Sequence, residues 1–131
     1  TMGPTIAPFA EKYRIKAAWH PHANVQDPRE VATPEGMEKL LDMSKAFVIN
    51  LDIGHYTAGN NDAVAFLRKH HARITHLHIK DRKRDNGPNV QLGTGDTPID
   101  ALAFDNVKGA GKKFDIVATD DFIYGEPRPI N

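Results

Sequence analysis

Two stretches of the chain decide its fold: NLDIGH at residues 50–55 and ITHLHIKD at residues 74–81. Each begins as a run of strand length that is rich in apolar residues, and each ends in His, Asp or Gly. In folds that alternate parallel strands with helices, ligands bind where the strands end on their carboxyl side. The two stretches therefore predict neighbouring parallel strands that carry a polar site, of the kind that holds a metal ion, at their C-terminal ends.

Strand-like and helix-like segments alternate outward from these stretches. The strand-like segments are residues 14–19, 46–51, 73–79 and 114–117. The helix-like segments are residues 6–13, a helix beginning at the Thr33-Pro34 cap, residues 62–70, and a helix opening at Thr97 toward Val107. A polar turn is expected at residues 85–89. Because each strand must return to the same end of the sheet through a crossover, the pattern predicts an α/β fold with four parallel strands.

The composition of the chain excludes several classes of protein and of binding partner. The chain has 131 residues, 40% of them apolar, which is enough for one compact domain over residues 1–131. Lys plus Arg and Asp plus Glu both total 17, so no overall field attracts nucleic acid or an anionic membrane. There is no apolar run of membrane length and no leader pattern at the start, which predicts a cytoplasmic protein. With no Cys and seven His, a transition metal would need imidazole and carboxylate ligands.

The run from residue 15 to about residue 99 resembles the C-terminal half of the xylose isomerase-like TIM-barrel superfamily. That superfamily includes sugar phosphate isomerases and epimerases, inosose dehydratases and AP endonuclease family 2. The segments that carry the resemblance are AAWHPH (17–22), LDIGH (51–55), HLHIKD (76–81) and LGTGDTPID (92–100). The resemblance implies a partial (β/α)₈ barrel whose four strands correspond to strands five to eight.

A half barrel has a structural consequence. Complete barrels of this type have about 250 residues, so this chain corresponds to roughly half of one. Two sheet edges and the inward faces of four strands would then be uncovered. We expect a homo-oligomer, most simply a dimer, that completes the barrel. The alternative is an open four-stranded sheet with an extended tail that caps one edge.

The resemblance also implies site residues. Asp52 corresponds to the metal ligand on strand six and His78 to the ligand on strand seven. His55 matches a position that contacts substrate oxygens, and Arg84 matches a basic substrate-contacting residue. The metal would be one divalent ion per site, manganese, zinc or a similar ion, and the substrate a small carbohydrate.

Two expected glutamates are absent. The strand-five position reads Trp-His-Pro-His at residues 19–22, and Ala118 falls on the strand-eight position. Isomerisation next to a carbonyl needs a base and an acid, so Asp120, Asp121 or a histidine such as His55 would have to take these roles. His20 and His22 are two residues apart and could join Asp52 and His78 as metal ligands. Such a set favours zinc, manganese, iron or copper over magnesium.

Each assignment has a structural alternative. Asp52 could be a turn former that binds backbone amides, and the histidines could be hydrogen-bonded core residues. Lys80 begins a basic run, residues 80–84, which could meet a substrate phosphate or form a solvated loop. GTGD at residues 93–96 is interpreted as a βα loop and not a nucleotide motif.

Three functional hypotheses remain open at this stage. The first is a metal-dependent isomerase or epimerase of small sugars or sugar phosphates. The second is a metal-dependent hydrolase of esters, glycosides or phosphodiesters, in which bound water attacks the substrate. The third is a non-catalytic barrel half. Fold similarity alone does not choose among them, because one barrel supports many reactions.

Overall fold

The computed structural model describes residues 2–101 and the backbone of residues 115–118. Four helices and six strands are described: α1 (Gly3–Tyr13), β1 (Ala17–Trp19), α2 (Pro34–Met43), β2 (Phe47–Asp52), α3 (Ile53–Ala58), α4 (Ala63–His70), β3 (Ile74–Ile79), β4 (Asp81–Arg82), β5 (Asn89–Val90) and β6 (Asp115–Ala118). A short 3₁₀ turn, His71–Arg73, joins α4 to β3.

The main sheet has the order β1-β2-β3-β6, and all three strand pairs are parallel. This confirms the four parallel strands, the fourth of which was predicted at residues 114–117 and observed at Asp115–Ala118. The register between β2 and β3 shifts after Ile49, so that Thr75 is an extra residue on β3. Beyond the shift, Asp52 lies opposite His78.

The predicted helix starts are present. Thr33 caps α2 with its Oγ1, which accepts a hydrogen bond from Gly36 N at 3.1 Å, and Pro34 occupies the first helical position. Asp62 caps α4 in the same way through Ala65 N at 2.9 Å. The helix expected from Thr97 toward Val107 lies mostly outside the described residues.

Three elements differ from the sequence-based expectation. β1 begins at Ala17 and not at residue 14, because Arg14 ends α1 with a left-handed backbone (φ 54°) and Ile15 N donates to Ala10 O at 3.0 Å. The short helix α3 follows β2 immediately, in a stretch to which the sequence assigned no helix or strand. The basic run after β3 folds into the β4–β5 hairpin, which was not expected either.

The hydrophobic core lies between one face of the sheet and the helices. The sheet contributes residues from β2 and β3, and the helices contribute residues from α2, α3 and α4. Its most buried large side chains include Phe47, Ile49, Leu51, Leu77 and Leu40. The opposite face, called the inner face below, carries the alternate residues of the strands, among them Asn50, Asp52, His76 and His78.

The described strands form an open sheet and not a closed barrel. Neither β1 nor β6 has a second neighbouring strand among the described residues. Beside β1, helix α1 exposes Phe9 and Tyr13, whose rings lie 4.6 Å apart and whose residues are 57% and 55% exposed. Uncovered strand edges and apolar helix faces of this kind are normally buried against further structure. In the described part of the chain, no helix has the length and apolar character to cross a bilayer.

Candidate metal and substrate site

Three strands bring polar side chains together at the carboxyl end of the sheet. His20 directly follows β1, Asp52 is the last residue of β2, and His78 lies on β3 opposite Asp52. One ligand atom from each of these three residues can be chosen so that all three lie within 4.8 Å of one another. The sequence predicted that Asp52 and His78 would meet at this edge, and the structure places them there.

Asp52 is completely buried, and its two carboxylate oxygens have different contacts. Oδ1 accepts a hydrogen bond from His55 N at 2.8 Å and thereby caps α3. Oδ2 lies 2.9 Å from Lys80 Nζ, an ion pair without the angles of a hydrogen bond. It also lies 3.7 Å from His55 Nε2 and 3.8 Å from His20 Nε2, which is too long for a hydrogen bond. Asp52 is thus both the turn former and a buried anionic oxygen that faces the cluster, and such an oxygen favours a cation beside it.

Lys80 supplies a cation to this oxygen in the structure. Its side chain is 13% exposed, and its ammonium group lies 3.1 Å from His55 Nε2 as well as 2.9 Å from Asp52 Oδ2. Gly54 permits this position, because a Cβ at residue 54 would overlap Lys80 Cγ. The sequence assigned Lys80 to a substrate phosphate, whereas here its ammonium group forms an ion pair with Asp52.

His55 lies between two cationic side chains. Arg82 Nη1 is 2.7 Å from His55 Nδ1, and Lys80 Nζ is on the other side of the ring at Nε2. Burial lowers the pKa of His55 to about 4, and the charges of Lys80 and Arg82 act in the same direction against the opposing effect of Asp52. Burial also lowers the pKa of His20. Both rings are therefore neutral at neutral pH, the form in which imidazole binds metal ions.

His78 is oriented by a residue that the sequence interpretation did not include. Its Nε2 lies 3.3 Å from Asn50 Nδ2, and its ring is 4.6 Å from that of His20. Asn50 precedes Asp52 by two residues on β2 and therefore shares its face of the sheet. That two-residue spacing was the available sequence signal for Asn50.

His22 belongs to a different group from the one expected. Its ring lies 5.5 Å from His20 and 5.3 Å from His55, and these three histidines form a second set whose ligand atoms lie within 4.8 Å of one another. The structure thus brings His20, Asp52 and His78 together in one group. It places His22 beside His55 in an overlapping group, and not in the first one.

Arg82, and not Arg84, is the basic residue that contacts the cluster. Arg84 lies in the turn of the β4–β5 hairpin with an exposed side chain, and its backbone N–H donates to Asp96 Oδ2 at 2.8 Å. Arg82 and Arg84 both share strand parity with Lys80, so the sequence carried no signal that separates the two arginines. Asp120, which was expected to serve in catalysis, lies outside the described residues.

The buried carboxylate of Asp81 organises the loop beyond β3. It accepts backbone hydrogen bonds from Gly93 and Gly95 at 2.9 and 2.8 Å and from Thr97 at 3.1 Å. A Cβ at residue 95 would overlap Asp81 Oδ1, so glycine is required there. The GTGD segment therefore wraps a protein carboxylate, in agreement with its interpretation as a βα loop.

The first group of ligands fits a divalent ion. Zinc is bound at about 2.0–2.2 Å by imidazole nitrogen and carboxylate oxygen, so two ligand atoms of one ion lie at most about 4.4 Å apart. The three ligand atoms, which lie within 4.8 Å of one another, therefore need only a small inward movement of the side chains to share one ion. Asp52 Oδ2 is buried and lacks a hydrogen bond, as a ligand atom without its ion would be. Lys80 Nζ contacts the same oxygen, so an ion bound there would have to displace that ammonium group.

A cavity of about 510 Å³ opens beside His20 and His22. Its wall is mostly apolar and includes Ile6, Val31 and Met37. The volume is in the range of small-molecule sites. Its lining includes His20 and His22 but none of Asp52, His55 and His78, so the cavity adjoins the cluster from the side of β1.

Comparison with known proteins identifies relatives of this arrangement. The family described as "Xylose isomerase-like TIM barrel" matches residues 5–109. Inosose dehydratase of Clostridium tetani is 30% identical over 82 residues, which are 61% of this chain and 26% of that protein. Inosose dehydratase of Bacillus cereus is 26% identical over 125 residues, 89% of this chain and 41% of that protein.

Solved structures share the fold. The probable 3-DHS dehydratase AsbF involved in petrobactin synthesis from Bacillus anthracis superposes with a TM-score of 0.67 at 16% identity, covering 92% of this chain and 48% of that one. A D-tagatose 3-epimerase-like protein superposes with a TM-score of 0.67 at 24% identity, covering 88% and 43%. The chain therefore spans less than half the length of each of these four proteins.

Proposed function

This chain belongs to the xylose isomerase-like TIM-barrel family, and we propose that its strand-end cluster binds one divalent metal ion and a small carbohydrate for isomerase- or epimerase-type chemistry. One observation carries the proposal: ligand atoms of His20, Asp52 and His78 lie within 4.8 Å of one another at the carboxyl edge of three parallel strands. That edge is where enzymes of barrel architecture place their active sites.

Each residue of the cluster has its own role in this proposal. His20, Asp52 and His78 would hold the ion, with imidazole ligands that favour zinc, manganese or iron over magnesium. When bound, the ion polarises a carbonyl or hydroxyl oxygen of the substrate. His55 and Lys80 line the same edge and would contact substrate oxygens. His22 would contact substrate from the rim, and Arg84 is kept as an outer contact for an anionic group.

Proton transfer next to the carbonyl needs a base close to the substrate. The sequence assigns that role to Asp120, with His55 as its partner. His55 is neutral and partly buried, so it can exchange a hydrogen bond with a substrate oxygen without the cost of burying a further charge. Asp120 remains a proposal based on the sequence.

Assembly is part of the proposal. Among the described residues, β1 and β6 each have one uncovered edge, and Phe9 and Tyr13 are exposed. These features support a half-barrel domain over residues 1–131, resembling strands five to eight, that a second copy of the chain completes. The measurement is the molar mass in solution by light scattering, where a dimer is expected. A monomer at micromolar concentration would contradict this part. The cytoplasmic location expected from the sequence stays a prediction.

A dehydratase is the second candidate function. The curated relatives are inosose dehydratases, one of them 30% identical to this chain. Dehydration of a hydroxy ketone begins, like epimerisation, with removal of the proton next to the carbonyl, but it continues with loss of a hydroxyl group. The same cluster could serve either reaction, because both develop negative charge on the carbonyl oxygen.

Metal binding is tested by titrating the metal-free protein with Zn²⁺ and Mn²⁺ in a calorimeter. We expect about one ion per chain, and we expect Asp52→Asn to weaken binding by at least about 100-fold through loss of a charged ligand. Asn still caps a helix, so α3 should remain folded. The matched control is Asp62→Asn, which changes an equivalent helix cap of α4 away from the cluster. Equal binding by the two variants would remove the metal assignment.

The reaction is tested with ketoses and inosose-type ketones in deuterated water. Exchange of the proton next to the carbonyl without loss of water supports an isomerase or epimerase. Exchange with formation of an unsaturated or dicarbonyl product supports a dehydratase. Turnover of a chromogenic ester, glycoside or phosphodiester without exchange would instead show a hydrolase. If the protein binds metal but none of these substrates reacts, the chain is a non-catalytic barrel half.

A further inference from the structure

We propose that Arg82 is a positioning residue that fixes the ring of His55 in the tautomer with its proton on Nε2, so that His55 offers a donor to a substrate oxygen and is not a metal ligand. This inference deepens the proposed function and rests on it for the identity of the substrate oxygen. The tautomer itself follows from the contacts of three described residues.

The contact between Arg82 and His55 determines which ring nitrogen is the acceptor. Arg82 Nη1 lies 2.7 Å from His55 Nδ1, and a guanidinium group only donates hydrogen bonds. Nδ1 must therefore carry a lone pair. A neutral imidazole has one acceptor nitrogen and one N–H, so the proton is on Nε2.

Lys80 presents the competing contact, at 3.1 Å from His55 Nε2. One neutral ring cannot accept from both cations. Arg82 makes the shorter contact and does not lose its proton. Lys80 has another partner in Asp52 Oδ2, at 2.9 Å. His55 Nδ1 therefore accepts its hydrogen bond from Arg82, and the ammonium group of Lys80 pairs with Asp52.

The hairpin holds Arg82 in place from the other side. Its Nη2 and Nε donate to Gly87 O at 2.6 and 3.1 Å. The same turn is attached to the end of α3, because Asn86 N donates to Ala58 O at 2.8 Å and Asn60 exchanges two hydrogen bonds with Asp85, both at 3.0 Å. The helix that carries His55 and the hairpin that carries Arg82 are thus joined at a second point, which keeps the two side chains in register.

This tautomer distinguishes between the two overlapping groups of possible ligands. The group of His20, His22 and His55 needs a lone pair from His55, but its Nδ1 is occupied by Arg82 and its Nε2 carries a proton. In the group of His20, Asp52 and His78, the ring of His78 faces the amide of Asn50. An amide, unlike a guanidinium group, offers both an oxygen and an N–H, so this contact does not fix which nitrogen of His78 carries the lone pair. Nε2–H of His55 and the ammonium of Lys80 then form two adjacent donors, which match an oxygen with lone pairs such as a carbonyl or an anionic oxygen.

The test is ¹⁵N NMR of the histidine rings in the labelled full chain, with His55→Gln to assign the His55 signals. In the metal-free protein we expect the His55 Nδ1 signal at an acceptor position and the Nε2 signal at a protonated one. Arg82→Lys should keep this pattern, because a donor remains. Arg82→Met should convert His55 to a mixture of tautomers, and Arg84→Met, the matched control in the same hairpin, should leave it unchanged.

Two results would overturn the inference. One is a His55 ring protonated on Nδ1 in the unsubstituted protein, a measurement that does not depend on whether the Arg82 variants fold. The other is an Arg82→Met spectrum identical to the unsubstituted one. Zinc then separates this inference from the proposed function. Shifts at His20 and His78 but not at His55 support both, a metal-bound His55 contradicts this inference, and shifts at no histidine contradict the proposed metal site while the tautomer result stands.

Discussion

The two faces of the four-stranded sheet differ more from each other than any two of its strands do. On the helix-facing side, Phe47, Ile49 and Leu51 are fully buried in an apolar core. On the inner face, Val48 is still apolar, but the next alternate residues, Asn50 and Asp52, are polar and meet histidines from neighbouring strands. Residues that stabilise the fold and residues that form the site therefore alternate along one strand. Substitutions at neighbouring positions should accordingly affect different properties, either the free energy of unfolding or ligand binding.

The largest effect is expected on the helix-facing side. Leu51→Ala should lower the free energy of unfolding by about 3 kcal/mol, because it removes a fully buried side chain and leaves a cavity. Urea denaturation followed by circular dichroism measures it. The neighbouring Asn50→Ala, on the inner face, should change that free energy by much less. If the two substitutions destabilised the protein equally, the separation of the two faces would not hold.

The second prediction concerns the inner face alone. Asn50→Ala removes the amide that lies 3.3 Å from His78 Nε2 and should weaken zinc binding about 10- to 100-fold, as loss of a group that orients a ligand does. Calorimetric titration provides the measurement. Asn89→Ala, on an exposed position of β5, is the control and should bind zinc normally. Unchanged binding by Asn50→Ala would show that His78 needs no orienting partner.

A third substitution should improve binding. Lys80→Met removes the ammonium group that contacts Asp52 Oδ2, so the affinity for a divalent ion should rise by about tenfold or more through loss of charge repulsion. The metal-free variant should also be less stable, because the buried carboxylate loses its cation, and added metal should restore its stability. Lys83→Met, at an exposed position paired with Asp96, is the control. A fall in affinity would mean that Lys80 supports the ion and does not compete with it.

The smallest effect is expected at a helix end. Thr33→Ala removes the cap of α2 and should cost about 1 kcal/mol of stability, while Thr33→Ser, which keeps the hydroxyl, should cost less. Neither substitution should alter zinc affinity. Thermal unfolding with and without zinc checks both statements, and a loss of affinity in Thr33→Ala would show that the helix-facing side does influence the inner face.

The sequence was most informative where local chemistry decides the structure. The cap at Thr33-Pro34 and the carboxyl ends of β2 and β3 were predictable, because a capping oxygen and an apolar run act over a few residues. The same locality explains why α3 was missed. Helix α3 has only six residues and contains a glycine, so the run after Asp52 read as a turn even though Asp52 Oδ1 caps the helix through His55 N.

The partners of the site residues were harder to predict, because they depend on pairing between distant segments. Arg82 reaches His55 across 27 positions, and only the β4–β5 hairpin sets which basic residue of the run points inward. Asn50 and His78 are 28 positions apart. Spacing along one strand shows which residues share a face, but the register between strands decides which residue of a neighbouring strand lies opposite.

The extra residue in β3 shows how the register between β2 and β3 determines which residues lie opposite each other. Ile49 pairs with Ile74 and Asn50 with His76, so Thr75 stands outside the ladder. Deletion of Thr75 would leave a regular ladder in which every residue pair after Ile49–Ile74 is unchanged. Deletion of Leu77 would instead turn the following residue toward the helices and break the alignment of Asp52 with His78. Homologous chains can therefore differ in length at position 75 without losing the site. A gap at this position in an alignment does not indicate a loss of activity.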